Sequence, residues 1–454
     1  MTIMLRPVSI VATTMFILAL VISPGALAVD LIGVHDMAVK SDPVLRAAEY
    51  RRLATNENKR QAWSGLLPQM DLSGSMTRGD SETTIMSESI SDVDVDNENY
   101  RFELRQALYN QSNYEQLDVA RGQISEAEGV YQTAFQDFLL RVADSYFLVL
   151  TNIDNVTFAE AEEEALQRQF EQAEQRFEVG LTAVTDVHEA RASYDNARAR
   201  AIVARNSLED AKQALLVLTG QTFEEFDRLQ EELPLVEPAP ASASEWVEIA
   251  LSENPQVQAA RAVVEVAEAN MRLERSAHFP TLDLSASINE FTNNEFLIRD
   301  DFQNPIGTTD LQVDDTQFFL QLVIPLYRGG LISSRTRQAR YFLDAALEDL
   351  DSTQRTTVRN TENSYRAVLA GIQEVQAFEQ ARISAESALE ATQAGFEVGT
   401  RTIVDVLIAN QRLFQSQRDS SQARHEYILS HLRLQANAGR LSSEDLAVVN
   451  QLLE

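Results

Sequence analysis

The chain has 454 residues, a formal net charge of −31 at pH 7 and no cysteine. The absence of cysteine excludes disulfides, thiolate metal sites, thiol nucleophiles and an N-terminal lipid on cysteine. The excess of acidic residues argues against nucleic-acid binding, because a protein that neutralises phosphates needs basic patches.

The first 28 residues have the pattern of a secretory signal peptide. Arg6 supplies the positive charge, residues 8–22 the apolar segment and residues 26–28 a small-x-small cleavage site. The alternative is a membrane-anchoring helix, which needs roughly 20 apolar residues, whereas this segment has 15. We therefore expect the mature protein to begin near Val29, outside the cytoplasm.

The sequence predicts that the mature chain contains two copies of one structural unit. Similar segments recur in the same order at offsets of 212 to 219 residues. The first repeat is predicted over residues 29–232 and the second over residues 245–454. The Pro-rich segment 233–244 between them has the composition of a linker.

Each repeat is predicted to contain a strand pair, a long helix and a return helix. No proline interrupts the long segments, and their apolar residues recur every seven positions, which is typical of a coiled coil or a ring of helices. At ~1.5 Å per residue, each long helix spans on the order of 100 Å. In chain order the predicted elements are strands at about 68–77 and 100–109, a long helix at 112–178, a return helix at 183–219, strands at about 280–289 and 317–327, a long helix at 331–397 and a return helix at 403–437.

The four strand segments alternate apolar and polar residues, so each should have one apolar face. A pair of hairpins over a soluble core would give the same alternation. The strand length of about ten residues, the long acidic loops expected at 78–99 and 289–315, and the signal peptide favour an outer-membrane β-barrel. Four strands cannot close a barrel, so the pattern requires more than one copy of the chain. Two copies would give eight strands and three would give twelve.

The chain resembles the TolC family of outer-membrane exit ducts over essentially its whole mature length. The resemblance rests on both strand pairs, on residues 325–330 and above all on the doubled turn at 179–187 and 398–407. It implies a mostly α-helical fold with a small β-barrel part. A homotrimer would form a 12-stranded outer-membrane β-barrel, continued by a 12-helix periplasmic α-barrel, with the inter-repeat segment and the C-terminus forming an equatorial belt. Residues 44–63 and 183–219 match one stacked helix pair of the family, and residues 257–277 and 403–437 match the other.

Local sequence signals predict the backbone structure of the doubled turn. Gly180 and Gly399 are predicted to end the long helices, where a left-handed residue reverses the chain. Thr182 and Thr402 are predicted to cap the return helices, and Asp405 stands three residues after Thr402 as in a capping box. The simplest interpretation is that these residues only terminate helices.

The resemblance implies a gate at the same turns. Asp405 matches the aspartate of the family's constriction ring, and Asp186 and Arg401 match polar links that hold the closed state. Two positions depart from the best-known member of the family: Phe396 replaces a tyrosine, and Ile408 replaces a second ring aspartate. A less charged ring and a weaker latch are expected. The pore should prefer cations and be blocked from the periplasmic side by multivalent cations.

The resemblance also implies the partners. The turns would dock a periplasmic adaptor (membrane fusion) protein, which would link the duct to an inner-membrane pump or ABC transporter. Efflux and type I secretion both use such assemblies, and the cargo is not predicted. No cofactor, metal or nucleic acid is expected. The docking residues would be Gly180, Leu181, Thr182, Gly399 and Thr400.

Two other classes of protein fit the sequence less well. An enzyme is disfavoured because the five histidines are scattered and no nucleotide-binding or nucleophile motif is present. Of these histidines, His188 and His425 are expected to face solvent or a helix seam. The alternative function is a periplasmic coiled-coil structural or adaptor protein without a pore, which would leave the amphipathic strands without a role.

Overall fold

A computed structural model describes residues 28–85, 88–299 and 305–454. The predicted signal peptide lies outside the described residues, except for Ala28. Over the described residues the elements are α1 (Leu31–Ser41), α2 (Pro43–Asn56), α3 (Asn58–Ser64), β1 (Gln69–Ile85), β2 (Glu88–Asn110), α4 (Gln111–Glu178), α5 (Val184–Thr219), α6 (Ala243–Glu253), α7 (Pro255–Ser276), β3 (Thr281–Arg299), β4 (Pro305–Val323), α8 (Leu331–Glu397), α9 (Ile403–Ala438) and α10 (Ser443–Asn450).

Two helices of unusual length dominate the fold. α4 has 68 residues and α8 has 67, so each is about 100 Å long at ~1.5 Å per residue. α4 begins directly after β2, where the side chain of Asn110 accepts a hydrogen bond from the Ser112 N–H at 3.1 Å. α5 packs against α4, and α9 packs against both α8 and α4.

The shorter helices follow one another along the long helices. The Ser41 hydroxyl donates to the Leu218 carbonyl oxygen at 3.0 Å, which places the end of α5 beside the junction of α1 and α2. The Asn254 side-chain amide donates to the Asn437 carbonyl oxygen at 2.9 Å, which places the end of α9 beside the start of α7. α2 therefore continues the line of α5, and α7 continues the line of α9.

The four strands form one antiparallel sheet in the order β1-β2-β3-β4. The expectation of long loops at 78–99 and 289–315 was wrong, because most of these residues are paired strand. Arg78 lies opposite Asp96, and Glu290 lies opposite Asp314. Backbone hydrogen bonds extend an antiparallel ladder whatever the side-chain polarity, so polar hairpins can run past the apolar segment. The predicted strand at 317–327 also ended too late: β4 stops at Val323, two residues before Pro325, which has no N–H to donate.

One face of the sheet is apolar and open. Leu72 is 81% exposed and Phe318 is 79% exposed, although both belong to the apolar alternation of their strands. A contiguous exposed apolar surface marks a place where lipid or protein makes contact. The members of this face, all exposed to at least 39%, include Met70, Leu72, Phe102, Ile288, Phe318, Leu320 and Leu322.

The main core lies midway along the long helices, where the segment that connects α5 to α6, residues 220–242, crosses them. Phe138, Tyr146 and Trp246 are buried in it. The Tyr146 hydroxyl donates to the Asp227 carbonyl oxygen at 2.9 Å. The C-terminus pairs with the same segment, since Arg228 and Glu454 exchange backbone hydrogen bonds of 2.9 and 2.8 Å. Among the helices of the described residues, none combines the length and apolar character needed to cross a membrane.

Candidate gate at the paired helical turns

The two long helices end in the same backbone motif. Gly180 has φ 77° and Gly399 has φ 79°, so both are left-handed as predicted. The Leu181 N–H donates to the Arg176 carbonyl oxygen at 2.8 Å, and the Thr400 N–H donates to the Gly395 carbonyl oxygen at 2.8 Å. Each of these bonds closes a loop of six residues, which is the 6→1 hydrogen bond of a Schellman motif. The motif gives hydrogen-bond partners to carbonyl groups in the last turn of each helix.

The capping box predicted at the start of α9 is present. The Asp405 N–H donates to the Thr402 hydroxyl oxygen at 3.2 Å, and the Thr402 N–H donates to the Asp405 carboxylate at 2.9 Å. The Thr402 hydroxyl also donates to this carboxylate at 2.9 Å. The two bonds that the carboxylate accepts, from the Thr402 N–H and the Thr402 hydroxyl, and to a smaller extent the nearby charge of Arg401, hold the pKa of Asp405 below its ordinary value. Asp405 is thus ionised at neutral pH and already serves a structural role within one chain.

The capping role predicted for Thr182 was wrong. α5 begins at Val184, and its N-cap is Ala183, which has no side-chain acceptor. Both turns place the cap three residues after the glycine, so the first copy has alanine where the second copy has Thr402. The Thr182 hydroxyl instead donates to the Asp186 carboxylate.

A small apolar core, which we call the tip cluster, joins the two turns. Its buried members from α9 are Ile403 and Leu407, which pack against residues of α4 and α5. Phe396 packs on the edge of this cluster, and the Arg176 guanidinium lies 4.7 Å from the centre of its ring, as in a cation–π contact. The full set comprises Leu166, Ala173, Ala190, Ala197, Ile403 and Leu407.

The remaining predicted site residues lie at the surface around the tip cluster. Leu181 is 69% exposed, and Gly180, Gly399 and Thr400 are exposed beside it. Ile408 is also exposed. Within the described part of one chain, Arg401 and Asp186 form no ion pair with each other. The structure therefore gathers the predicted docking residues at one end of the molecule and leaves Arg401 facing outward.

A buried ionic clamp above the tip cluster was missed from the sequence. Glu162 of α4 is fully buried, and its carboxylate oxygens lie 2.7 Å from Arg200 of α5 and 3.2 Å from Arg418 of α9. One carboxylate therefore ties three helices together. Glu162 belongs to an acidic run, residues 160–164, which resembles a solvated face. The sequence does contain one indication that Glu162 is buried: it lies three residues after Ala159 and four before Leu166, which are both buried on the same helix face.

The histidine expectations hold for His188, which is exposed, and for His425, which is buried in a helix seam. The His425 Nδ1 lies 2.8 Å from the Thr151 hydroxyl, across the contact between α9 and α4. Burial lowers the pKa of His425 to about 4; the carboxylate of Asp154 opposes this shift, and the charge of Arg424 adds to it. The ring is therefore neutral at physiological pH.

Comparisons with known proteins agree with this architecture. The family model described as outer membrane efflux protein matches residues 34–221 and 246–440. The outer membrane protein TolC of Vibrio cholerae is 36% identical over 434 residues, covering 94% of this chain and 95% of that protein. The alkaline protease secretion protein AprF of Pseudomonas aeruginosa is 27% identical over 435 residues, covering 95% of this chain and 88% of that protein.

A solved structure shares the fold. The outer membrane protein VceC from Vibrio cholerae superposes with a TM-score of 0.74 at 20% identity, over 90% of this chain and 96% of that one. The extent of the family match also gives the localisation: the protein resides in the outer membrane, with its helical part in the periplasm. The chain belongs to the outer membrane efflux protein family.

Proposed function

We propose that three copies of this chain form a gated exit duct, which passes substrates from an inner-membrane transporter across the periplasm and the outer membrane. The observation that carries the proposal is the open four-stranded sheet with an exposed apolar face. Such a sheet has two unpaired edges, β1 and β4, and unpaired backbone groups are not tolerated in lipid. The names of the relatives, which include an efflux family and a protease secretion protein, support both efflux and type I secretion.

Three copies account for the geometry better than two. Two copies would give eight strands, whose side chains fill the interior, whereas three copies give twelve strands and room for a lumen. Each copy also supplies four helical lines: α4, α8, the line of α5 with α2, and the line of α9 with α7. Three copies would then enclose a tunnel of twelve helices continuous with the barrel.

The paired turns would close this tunnel at its periplasmic end. Three Asp405 carboxylates near one axis would repel each other by about 2 kcal/mol per pair, for a separation of ~8 Å and an effective dielectric constant of ~20. Arg401, which is exposed in one chain, or bound cations would offset this cost. Asp186 would contribute to the polar links between helices that hold the closed state. Phe396 cannot donate the hydrogen bond of a tyrosine, and Ile408 adds no second ring of charge, so the closed state would be held weakly.

The position of the turns at one end of the molecule suggests which proteins bind there. The exposed turn residues would form the docking surface for a periplasmic adaptor (membrane fusion) protein, and the adaptor would connect the duct to an inner-membrane pump or ABC transporter. The duct would catalyse no reaction; the names of its relatives describe an outer membrane efflux protein, an outer membrane protein and a protease secretion protein.

Reconstitution tests this proposal against the alternative of a periplasmic coiled-coil protein without a pore. The full-length protein should fractionate with the outer membrane, crosslink to a trimer and give cation-selective conductance in a planar bilayer. A trivalent cation added on the side of the helical turns should block the current. A water-soluble monomer that forms no conductance would favour the alternative, and anion selectivity would contradict the proposed gate.

A further inference from the structure

The polar face of the sheet has an exposed aromatic side chain near the helical end. Phe319 of β4 is 57% exposed. Strand alternation puts it on the same face as Gln317 and Gln321, and its partner across β3 is Ser285. Phe318 and Leu320, its neighbours in the chain, belong to the opposite, apolar face. Phe319 thus departs from the polar character of its own face.

Phe319 lines a cavity of about 490 Å³ at the base of the sheet. Its wall on the helical side is held by hydrogen bonds: the Asn113 side-chain amide donates to the Gly65 carbonyl oxygen at 2.5 Å, and the Gln106 amide donates to the Leu66 carbonyl oxygen at 2.8 Å. A cavity of this size suits a small organic molecule. The lining residues used below are Glu103, Arg105, Asp283 and Phe319.

The charges of this pocket leave one carboxylate without a cation. Arg105 lies 2.7 Å from a Glu103 carboxylate oxygen and 3.8 Å from an Asp71 carboxylate oxygen, so its charge is already balanced. Asp283 stands between Ala107 of β2 and Gln321 of β4, which are both uncharged. Over the described residues, no basic side chain approaches Asp283 within ion-pair distance. The pocket therefore has an excess of negative charge at Asp283.

Asp283 and Phe319 are diagonal neighbours on the two paired strands, since Asp283 faces Gln321 and Phe319 lies two residues away. Diagonal neighbours stand roughly 7–8 Å apart. A cationic group can fit between them, attracted by the carboxylate and by the face of the phenyl ring. An apolar substituent on the same molecule would cover the ring.

We infer that this pocket binds organic cations that carry an aromatic or other apolar group, as a contact for cargo leaving the duct. The inference rests on the proposed function, because the pocket faces a lumen only if the sheet closes with its polar face inward. The site is open and mostly polar, so binding is weak. Weak binding suits conduction, in which a substrate must leave each site that it enters.

Block of the channel by tetraphenylphosphonium tests the inference. With the full-length protein in a planar bilayer, this aromatic cation should reduce the potassium current. Tetraphenylborate, an anion of the same shape, and tetramethylammonium, a cation without aromatic rings, should each need at least about a tenfold higher concentration. Phe319→Ser and Asp283→Asn should each raise the half-blocking concentration of tetraphenylphosphonium about two- to fivefold, a loss typical of one solvent-exposed cation–π or ionic contact.

Two controls locate the block. Phe318→Leu changes an aromatic residue on the opposite face and should leave the half-blocking concentration unchanged. Asp405→Asn alters the gate and should also leave it unchanged. Unaltered block in both Phe319→Ser and Asp283→Asn, equal block by tetraphenylborate, or loss of block in Asp405→Asn would overturn the inference while leaving the duct intact. Absence of any conductance in the unmodified protein would instead overturn the proposed function.

Discussion

The side-chain amide of Asn254 donates to the carbonyl oxygen of Asn437 at 2.9 Å, and its Oδ1 accepts a hydrogen bond from the Gln256 N–H at 2.9 Å. One side chain therefore donates a hydrogen bond to a carbonyl oxygen in the last turn of α9 and accepts one from an N–H in the first turn of α7. Gly439, which ends α9 with φ 83°, lies against the same junction: a Cβ added there would stand 2.5 Å from the Asn254 Cα. The second repeat thus joins its stacked helices by direct backbone contact.

This contact predicts unequal costs for the same substitution in the two repeats. Gly220→Ala places alanine at φ 71° with its nearest neighbour, the Ser41 Cβ, at 3.7 Å, so it should cost only the left-handed strain of about 1–2 kcal/mol. Gly439→Ala adds a backbone clash and should cost about 1–3 kcal/mol more. Thermal unfolding of both variants in detergent measures the difference. Equal losses would show that the junction can shift to accept a methyl group.

The gate hypothesis predicts that the charge of Asp405 and its capping role can be separated. Asp405→Asn retains an oxygen acceptor for the Thr402 N–H but removes the negative charge, so the half-blocking concentration of a trivalent cation should rise at least about tenfold. Such a loss is expected for a desolvated ionic contact. Single-channel recording with the cation on the side of the turns measures this effect.

Thr402→Ala is the matched control for that experiment. It removes the capping hydroxyl, which should cost about 1 kcal/mol of stability, but it leaves the Asp405 charge in place and should not alter the block. If Asp405→Asn left the block unchanged, the assignment of Asp405 to a constriction ring would be wrong.

The buried clamp predicts a large loss of stability from a conservative substitution. Glu162→Gln keeps the shape of the side chain but leaves Arg200 and Arg418 without their shared carboxylate, so the protein should lose about 3 kcal/mol. The control is Glu160→Gln, because Glu160 pairs with Arg205 at 2.8 Å on the surface, where such pairs are worth less than about 1 kcal/mol. Chemical unfolding followed by circular dichroism compares the two; similar small losses would mean that the clamp is dispensable.

The buried histidine predicts a fall in stability in mild acid. Burial lowers the pKa of His425 to about 4 in the folded protein, whereas an unfolded histidine titrates near 6.5. The unfolded state therefore binds a proton first as the pH falls from 6.5 towards 4, and folding loses up to about 3 kcal/mol over that window.

Comparing melting temperatures at pH 7.5 and pH 4.5 checks this expectation. His425→Gln should show a smaller fall than the unmodified protein, and substitution of the exposed His188 by Gln should leave the fall unchanged. If the acid-induced fall is the same with and without His425, other groups must set the acid sensitivity.

Much of the helical architecture follows from local sequence. α8 begins and ends at the predicted residues, and α4 begins one residue before its predicted start. Three local signals predict these helices: the absence of proline, the seven-residue apolar spacing and a terminal glycine. Each signal involves residues close together in the chain, so it can be recognised without knowing which element packs against the helix. The turns at Gly180 and Gly399 were predictable for the same reason, because only glycine adopts the left-handed conformation without strain.

The candidate site was less fully predictable. Asp405 was recognised as a capping residue from its spacing to Thr402, and the structure contains that capping box. Thr182 was assigned one position away from the true cap, because a threonine in a turn carries no mark of where the next helix begins. The roles of Asp186, Arg401, Phe396 and Ile408 in gating remain predictions, since they depend on contacts between copies of the chain.

By itself, therefore, the sequence determined the long helices, the glycine turns and the faces of the four strands, all of which depend on residues close together in the chain. Tertiary structure decided how far each strand runs, because a ladder such as Arg78 opposite Asp96 continues for as long as a neighbouring strand supplies backbone partners. It also decided that Glu162 is buried, because the two arginines that neutralise it come from α5 and α9, which reach it only after the helices pack.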